Sequence, residues 1–398
     1  MCMRCGRILF GVLIAALGAC AGPTMDGVNS SSPVVNSPLP SLLTALPSSS
    51  SSSPSPAPSP VVTPSNVPMS PAPTAIESIL TASQVWPVAW SPDGGALIAV
   101  DQTPDTSIVH VFAADGHEIW STPGLTAAWT GADSLEFLRA SDTLAGHSDL
   151  FEVTLPSGTP TKLDGSYLNF ITAAADGRLA VPTSETPRGY TFDLLNPAGG
   201  HFDGEPLLWN PASDELAIVL GSAPHSGSLA IVDGTSGSVT RTGLDVDDQP
   251  AFDRTGSELM VCVFGDHGNC APTLVRLDGS DIAASAMRGP LLGAGELPDG
   301  RWIGGNSGIV LWDPSNPTTT TSLGNGWPSV SPTGILVIIG DETASPPPGS
   351  QVTIVRLPGS GASYPVWSPA GDRIAYSVLS AFGQELRISS LPGAAHLP

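Results

Sequence analysis

The chain has 398 residues, a formal net charge of −22, only 13% charged residues, 44 glycines and 41 prolines. So acidic a balance argues against a nucleic-acid partner and against direct docking on anionic lipid. Low charge with abundant turn formers points to a turn-rich β protein, to low-complexity segments, or to both.

Arg4 and Arg7 form a small basic start, followed by an apolar run over 8–17. Roughly ten apolar residues are too few to span a ~30 Å hydrocarbon core, so the run reads as the apolar part of an export signal. It ends in Leu17-Gly18-Ala19-Cys20, which resembles the lipobox of bacterial lipoproteins. That resemblance implies a diacylglyceryl group on the Cys20 thiol, cleavage after Ala19, and Cys20 as the first mature residue. The other reading is an ordinary signal peptide cut nearby with Cys20 incidental, but Leu17 is bulky for the small residue such a site needs. The expectation is an exported chain, lipid-anchored at the cell membrane and facing the extracytoplasmic side. Cleavage at that point removes Cys2, Cys5 and two arginines, leaving twelve basic against 36 acidic residues.

Residues 20–75 are mostly Ser, Pro, Val, Thr and Ala, with Asp26 the sole charge; Ser48 to Ser53 is unbroken serine and an alternating Pro tract follows. Such a segment lacks the apolar mass to offset chain entropy and reads as a disordered, proline-stiffened linker. It is a spacer outside the fold.

From 76 to 398 the chain repeats itself. The clearest copies are Trp90-Ser91-Pro92-Asp93-Gly94 and Trp367-Ser368-Pro369-Ala370-Gly371-Asp372. Between them lie Trp209-Asn210-Pro211, Phe252-Asp253-Arg254-Thr255-Gly256 and Ser331-Pro332-Thr333-Gly334, with weaker copies at Trp129, Ala174 and Leu297. The copies recur about every 40 residues, the length of a four-stranded propeller blade. Each runs an apolar strand into the aromatic, turns on Pro/Asp/Gly, and continues in a second apolar strand such as Leu97-Ile98-Ala99-Val100. An alternating third strand follows, often ending in Asp-Gly, whose positive φ suits a tight hairpin. Helical periodicity is absent. The expected fold is all-β: one propeller of about eight four-stranded antiparallel blades, or seven if a weak copy is misread. The last copy supplies three strands, and 75–82 is placed to complete it, closing the ring and removing an open edge.

These copies resemble the WD-repeat-like modules of TolB-type propellers, whose mark is the Trp-Ser-Pro-Asp-Gly turn. The resemblance covers the whole repeat region and implies a fold, not an activity. The aromatics at the repeat position read as packing between blades.

Cys262 and Cys270 flank one hairpin loop, a spacing that suits a disulfide in an exported chain; a metal site recruiting His267 is the other reading. No nucleophile elbow, zinc motif, phosphate loop or dinucleotide fingerprint occurs, so no catalytic residue, metal or cofactor is expected. Proline recurs at the start of the inner strands, at Pro87, Pro206, Pro250, Pro290, Pro328 and Pro365, where no ladder donor is needed. The residue before it is expected at the mouth of the central channel. It is aromatic in three blades that become neighbours on closure: Trp86, Trp327 and Tyr364. They form a candidate arc for gripping a peptide or glycan; packing over loops is the competing role. Two function classes follow. One is a monomeric binding scaffold at the envelope, engaging a protein or glycan partner. The other is a propeller-type glycan hydrolase or lyase with carboxylates converging in the channel.

Overall fold

A computed structural model of the chain describes residues 74–75, 78–186, 189–196, 199–223, 226–247, 250–263, 271–278, 280–284, 295–304, 308–325, 327–339, 354–357 and 363–391. They lie in a unit spanning Ser70–Pro398. The predicted signal, Cys20 and the Ser/Pro-rich segment fall outside the described residues.

The first blade shows how the repeat folds. Its strands are Gln84–Trp90, Ala96–Gln102, Ser107–Ala113 and Glu118–Pro123, paired in that order. The turn after Trp90 is built by its own side chains. Ser91 Oγ accepts the Ala96 N–H at 2.9 Å and donates to Asp93 Oδ1 at 2.6 Å, while Gly94 sits at φ 70°. A positive φ costs a side-chain-bearing residue strain that glycine avoids. Three other copies keep the device, two with serine and one with aspartate. The Ile335 N–H donates to Ser331 Oγ, the Arg373 N–H to Ser368 Oγ, and the Glu258 N–H to Asp253 Oδ1.

The described strands form seven hydrogen-bonded sheets, one of them eight-stranded because a single pairing, Val246 opposite Val263, joins two blades. Counting those two separately, the blades occupy 84–123, 126–162, 172–203, 205–247, 251–284, 295–324, 327–357 and 363–390. The last is completed from the other end of the chain, by Leu80–Ala82 against Gln384 to Leu386 and by Thr74–Ala75 against Ser389 and Ser390.

Packing closes the circle. The middle strands are apolar on both faces, so each blade buries one face against each neighbour. Leu97 and Ala99 pack on Ala375, Leu386 and Ile388 of the last blade, while Ile98 and Val100 pack on Trp129, Leu135 and Phe137 of the second. Further clusters join the second blade to the third, third to fourth, fourth to fifth, fifth to sixth, sixth to seventh and seventh to eighth. Each fully buried aliphatic side chain contributes about 1.5–3 kcal/mol, so these interfaces are the main stabilising element. The repeat tryptophans stitch them. Trp90 Nε1 donates to Val366 O at 3.0 Å, Trp129 to Ala89 O at 3.1 Å, Trp209 to Thr172 O at 3.1 Å, and Trp367 to Ser329 Oγ at 2.9 Å. Every one of these bonds reaches the innermost strand of the preceding blade.

Two features depart from the sequence expectation. Pro250 stands directly before its strand, Ala251–Phe252, as expected, and Pro290 lies outside the described residues, but the other prolines do not open their strands. Pro87, Pro206 and Pro328 lie inside them, opposite Ala99, Ile218 and Ile338, and a bulge follows Pro87 and Pro206. The innermost strand has a ladder partner on one side only, so a missing N–H is tolerated along its length. In the seventh blade the third strand, Ile354–Leu357, pairs parallel to Leu336–Ile339. Parallel pairing needs a crossover of about a dozen residues, and the intervening stretch 340–353 is long enough to provide it.

Candidate functional site

The meander gives the ring two unlike ends. At one, which we term the turn end, lie the repeat turns and the turns between third and fourth strands. At the other, the loop end, inner strands begin and second strands turn into third.

The turn end is rich in aspartates committed to the fold. The Ser91 hydroxyl and Gly95 N–H hold the Asp93 carboxyl below the usual range. Asp214 is lowered by the Thr235 hydroxyl and by Arg178, Asp233 by the backbone N–H groups of Ser236 and Thr235, and Asp313 by the Ser315 hydroxyl and N–H. Arg178 lies 5.1 Å from the Trp209 ring and pairs with Asp176 at 2.9 Å and Asp214 at 2.5 Å. A small open pocket beside it is lined by Ala174, Asp176, Arg178, Asn210 and Asp214. These charges clamp the third blade to the fourth and leave little unspent for a ligand.

The three aromatics predicted to form an arc lie on inner strands that begin at the loop end, and strand register decides how they compare. Trp86 lies opposite Val100, three places along from Leu97, which faces the repeat tryptophan Trp90. Trp327 holds the same position, opposite Ile339, three beyond the Leu336–Val330 pair. In the last blade Ser363 holds it, opposite Ser377, and Tyr364 falls within the bulge between Ser363 and Val366. Register thus aligns two of the three aromatics and offsets the third. Trp86 is half-buried against the interface of the first and second blades. The side chains of Trp327 and Tyr364 lie outside the described residues.

Elsewhere on the rim the same position is polar. Thr126 takes it in the second blade, and in the fourth it is Glu205, buried at 4% exposure. Burial, with Glu205 and Glu185 nearby, pushes the Tyr190 hydroxyl up to about 12. At this register position blades one and seven carry tryptophan, blade eight serine, blade two threonine and blade four glutamate.

Cys262 is buried in Glu258–Val263 and disulfide-bonded. Its expected partner Cys270 and the loop residue His267 lie outside the described residues. Among the described residues no group of three or more His, Cys, Asp or Glu is placed to hold a metal ion.

Two groups escape sequence reasoning. Glu136 is 3% exposed between the second and third blades; Oε1 accepts from Asn196 Nδ2 at 2.6 Å, and Oε2 meets no donor among the described residues. Burial pushes its carboxyl up. Phe382 is 87% exposed at a hairpin tip of the loop end. In sequence Glu136 looks like the solvent position of an alternating strand, and Phe382 like any core aromatic.

No protein-family model matches the chain, and no curated protein sequence matches it. Among solved structures it is similar to an oligogalacturonate lyase from Vibrio parahaemolyticus, at 12% identity and TM-score 0.46, over 80% of this chain and 94% of that one. It is similar to the propeller domain of the Trilobed protease from Pyrococcus furiosus, at 11% identity and TM-score 0.45, over 79% and 99%. A third is TolB from Acinetobacter baumannii, at 14% identity and TM-score 0.34, over 73% and 78%. None of these likenesses carries an inference about substrate or partner. What assigns the chain to the β-propeller architecture is its own closed ring of blades.

Proposed function

We propose that the chain is an exported lipoprotein, anchored through Cys20, whose propeller is a binding scaffold for a protein or glycan partner at the cell envelope. The observation that carries the scaffold reading is a division of labour between the two ends. Turn-end side chains are consumed in capping turns and clamping blades, whereas at the loop end Trp86 and Trp327 share one register position, with Tyr364 offset from it in the intervening blade. Tryptophan and tyrosine at a rim supply large apolar area with a polar tip, the combination that dominates binding hot spots. The anchor reading rests on Leu17-Gly18-Ala19-Cys20 after a short apolar run.

Two experiments test these parts separately. The Ser70–Pro398 unit, immobilised beside its Trp86→Ala/Trp327→Ala/Tyr364→Ala variant, is offered envelope extract. A partner retained by the first and lost by the second supports the rim as the site; equal retention overturns it. For the anchor, Cys20→Ser is expected to move the protein from the detergent phase to the aqueous phase. Unchanged partition removes the lipoprotein reading.

A further inference from the structure

Phe382 is exposed at 87% and Leu379 at 55%, on the hairpin joining the second and third strands of the last blade. The turn is tight: Ser380 lies opposite Gly383, whose φ is 129°, so Ala381 and Phe382 are its two loop residues. Such positions favour Asn, Asp and Gly, and a bulky aromatic there does nothing for the turn. Nor does it serve the core, since the ring points into solvent. The hairpin is nonetheless firmly held. The Phe382 N–H donates to Ser380 Oγ at 3.2 Å, Gln384 pairs with Ala82 of the closing strand, and Gln384 Oε1 accepts the Val85 N–H at 2.9 Å. The loop between the same two strands of the second blade carries another exposed apolar residue, Leu144 at 47%.

The flanking loops of this end are acidic: Asp105 is exposed on the first blade, beside the last, and Asp142 on the second, two residues from Leu144, while Glu185, Asp203 and Asp245 are exposed at the same end on the third and fourth blades. The nearby cations are engaged: Arg139 stacks on Phe151 at 4.6 Å, and Arg387 pairs with Glu385 at 2.8 Å. We infer that the Phe382 hairpin is a protein-docking anchor, inserting its ring into an apolar pocket, rimmed by Lys and Arg, on a partner protein. Three points select that occupant. A protruding tip is convex, whereas glycans and small molecules need concave walls. An acidic surround repels an anionic bilayer and attracts a basic surface. A rigid aromatic anchor loses little side-chain entropy when it docks. The inference rests on the scaffold reading and adds to it a second surface and the partner's chemistry.

The test is site-specific photo-crosslinking with the full chain in the cells that produce it. Benzoyl-phenylalanine is placed at 382 and, as a control, at Val239, which is 45% exposed on the outer strand of the fourth blade. The expected result is one discrete protein adduct from 382 and none from 239, weakened by added salt. Its cross-linked peptide should carry apolar residues flanked by Lys or Arg. Phe382→Ser should then weaken binding of that purified partner at least tenfold. An adduct to lipid or to a second copy of this chain, the same adducts from both positions, or no adduct at 382 overturns the inference. If envelope capture still depends on Trp86, Trp327 and Tyr364 while 382 yields nothing, the scaffold reading stands and only this anchor fails. If both experiments are blank, the scaffold reading fails with it.

Discussion

Trp129 illustrates how single residues carry this fold. Its ring fills the space between the first two blades, and its Nε1 donates to Ala89 O at 3.1 Å. Trp129→Phe keeps most of the apolar surface but leaves that carbonyl without its donor, a loss expected to cost about 1–3 kcal/mol. Urea denaturation should show a lower midpoint with an unchanged slope. Glu136 behaves in the opposite sense. Burial raises its carboxyl in the folded state, so the folded chain binds the proton more tightly than the unfolded chain. Its contribution is fully present below the unfolded range and lost as pH rises through the folded value. Glu136→Gln should therefore raise the melting temperature at pH 7.5 and change it little at pH 4. The role of Trp129 was legible in the sequence because the aromatic recurs beside a turn motif. That of Glu136 was not, because a middle strand buried on both faces has no solvent side to read.

Among the elements, the closing strand does most with the fewest residues. Leu80–Ala82 covers Leu386 and supplies the outer edge of the last blade. A chain beginning at Ser83 leaves Gln384 to Ser390 as an unpaired edge of the kind that promotes association between molecules. Such a truncation is expected to melt several degrees lower than one beginning at Ser70 and to form oligomers in size-exclusion chromatography. The hairpin of the fifth blade offers a second check. A Cys262–Cys270 disulfide across so short a loop is expected to add about 2–3 kcal/mol. Cys270→Ser should remove that increment, and dithiothreitol should then change the stability of the variant no further. At this scale the 40-residue period, the order of strands within a blade and closure from the N-terminal side were all legible, since Trp-Ser-Pro-Asp-Gly marks every blade start in a different state of decay. The placement of the prolines was not. An innermost strand tolerates a missing donor anywhere along its length, so Pro87 does not mark a strand end. The same ambiguity shifted Tyr364 out of register with Trp86 and Trp327.

For the whole molecule, the acid limb of stability follows from the turn end. Asp93, Asp214, Asp233 and Asp313 are all held below their ordinary range by local donors. For a lowered carboxyl, stability is present above the unfolded value and lost as pH falls through the folded one. The ring should therefore hold near neutrality and lose stability progressively below about pH 4, with Asp93→Asn flattening that decline in a thermal-melt series from pH 7 to 2. The closed ring also bears on how the chain is made. Its outermost strand of the last blade, near residue 80, is synthesised about 300 residues before the strand it must pair with at 384–390. At roughly 5–20 residues per second, that strand waits tens of seconds without its partner. The first seven blades can stack as they emerge, but the circle becomes complete only after the C-terminal strand is made. A stalled or clipped product is thus an open arc, which quality-control proteases can tell from the finished ring.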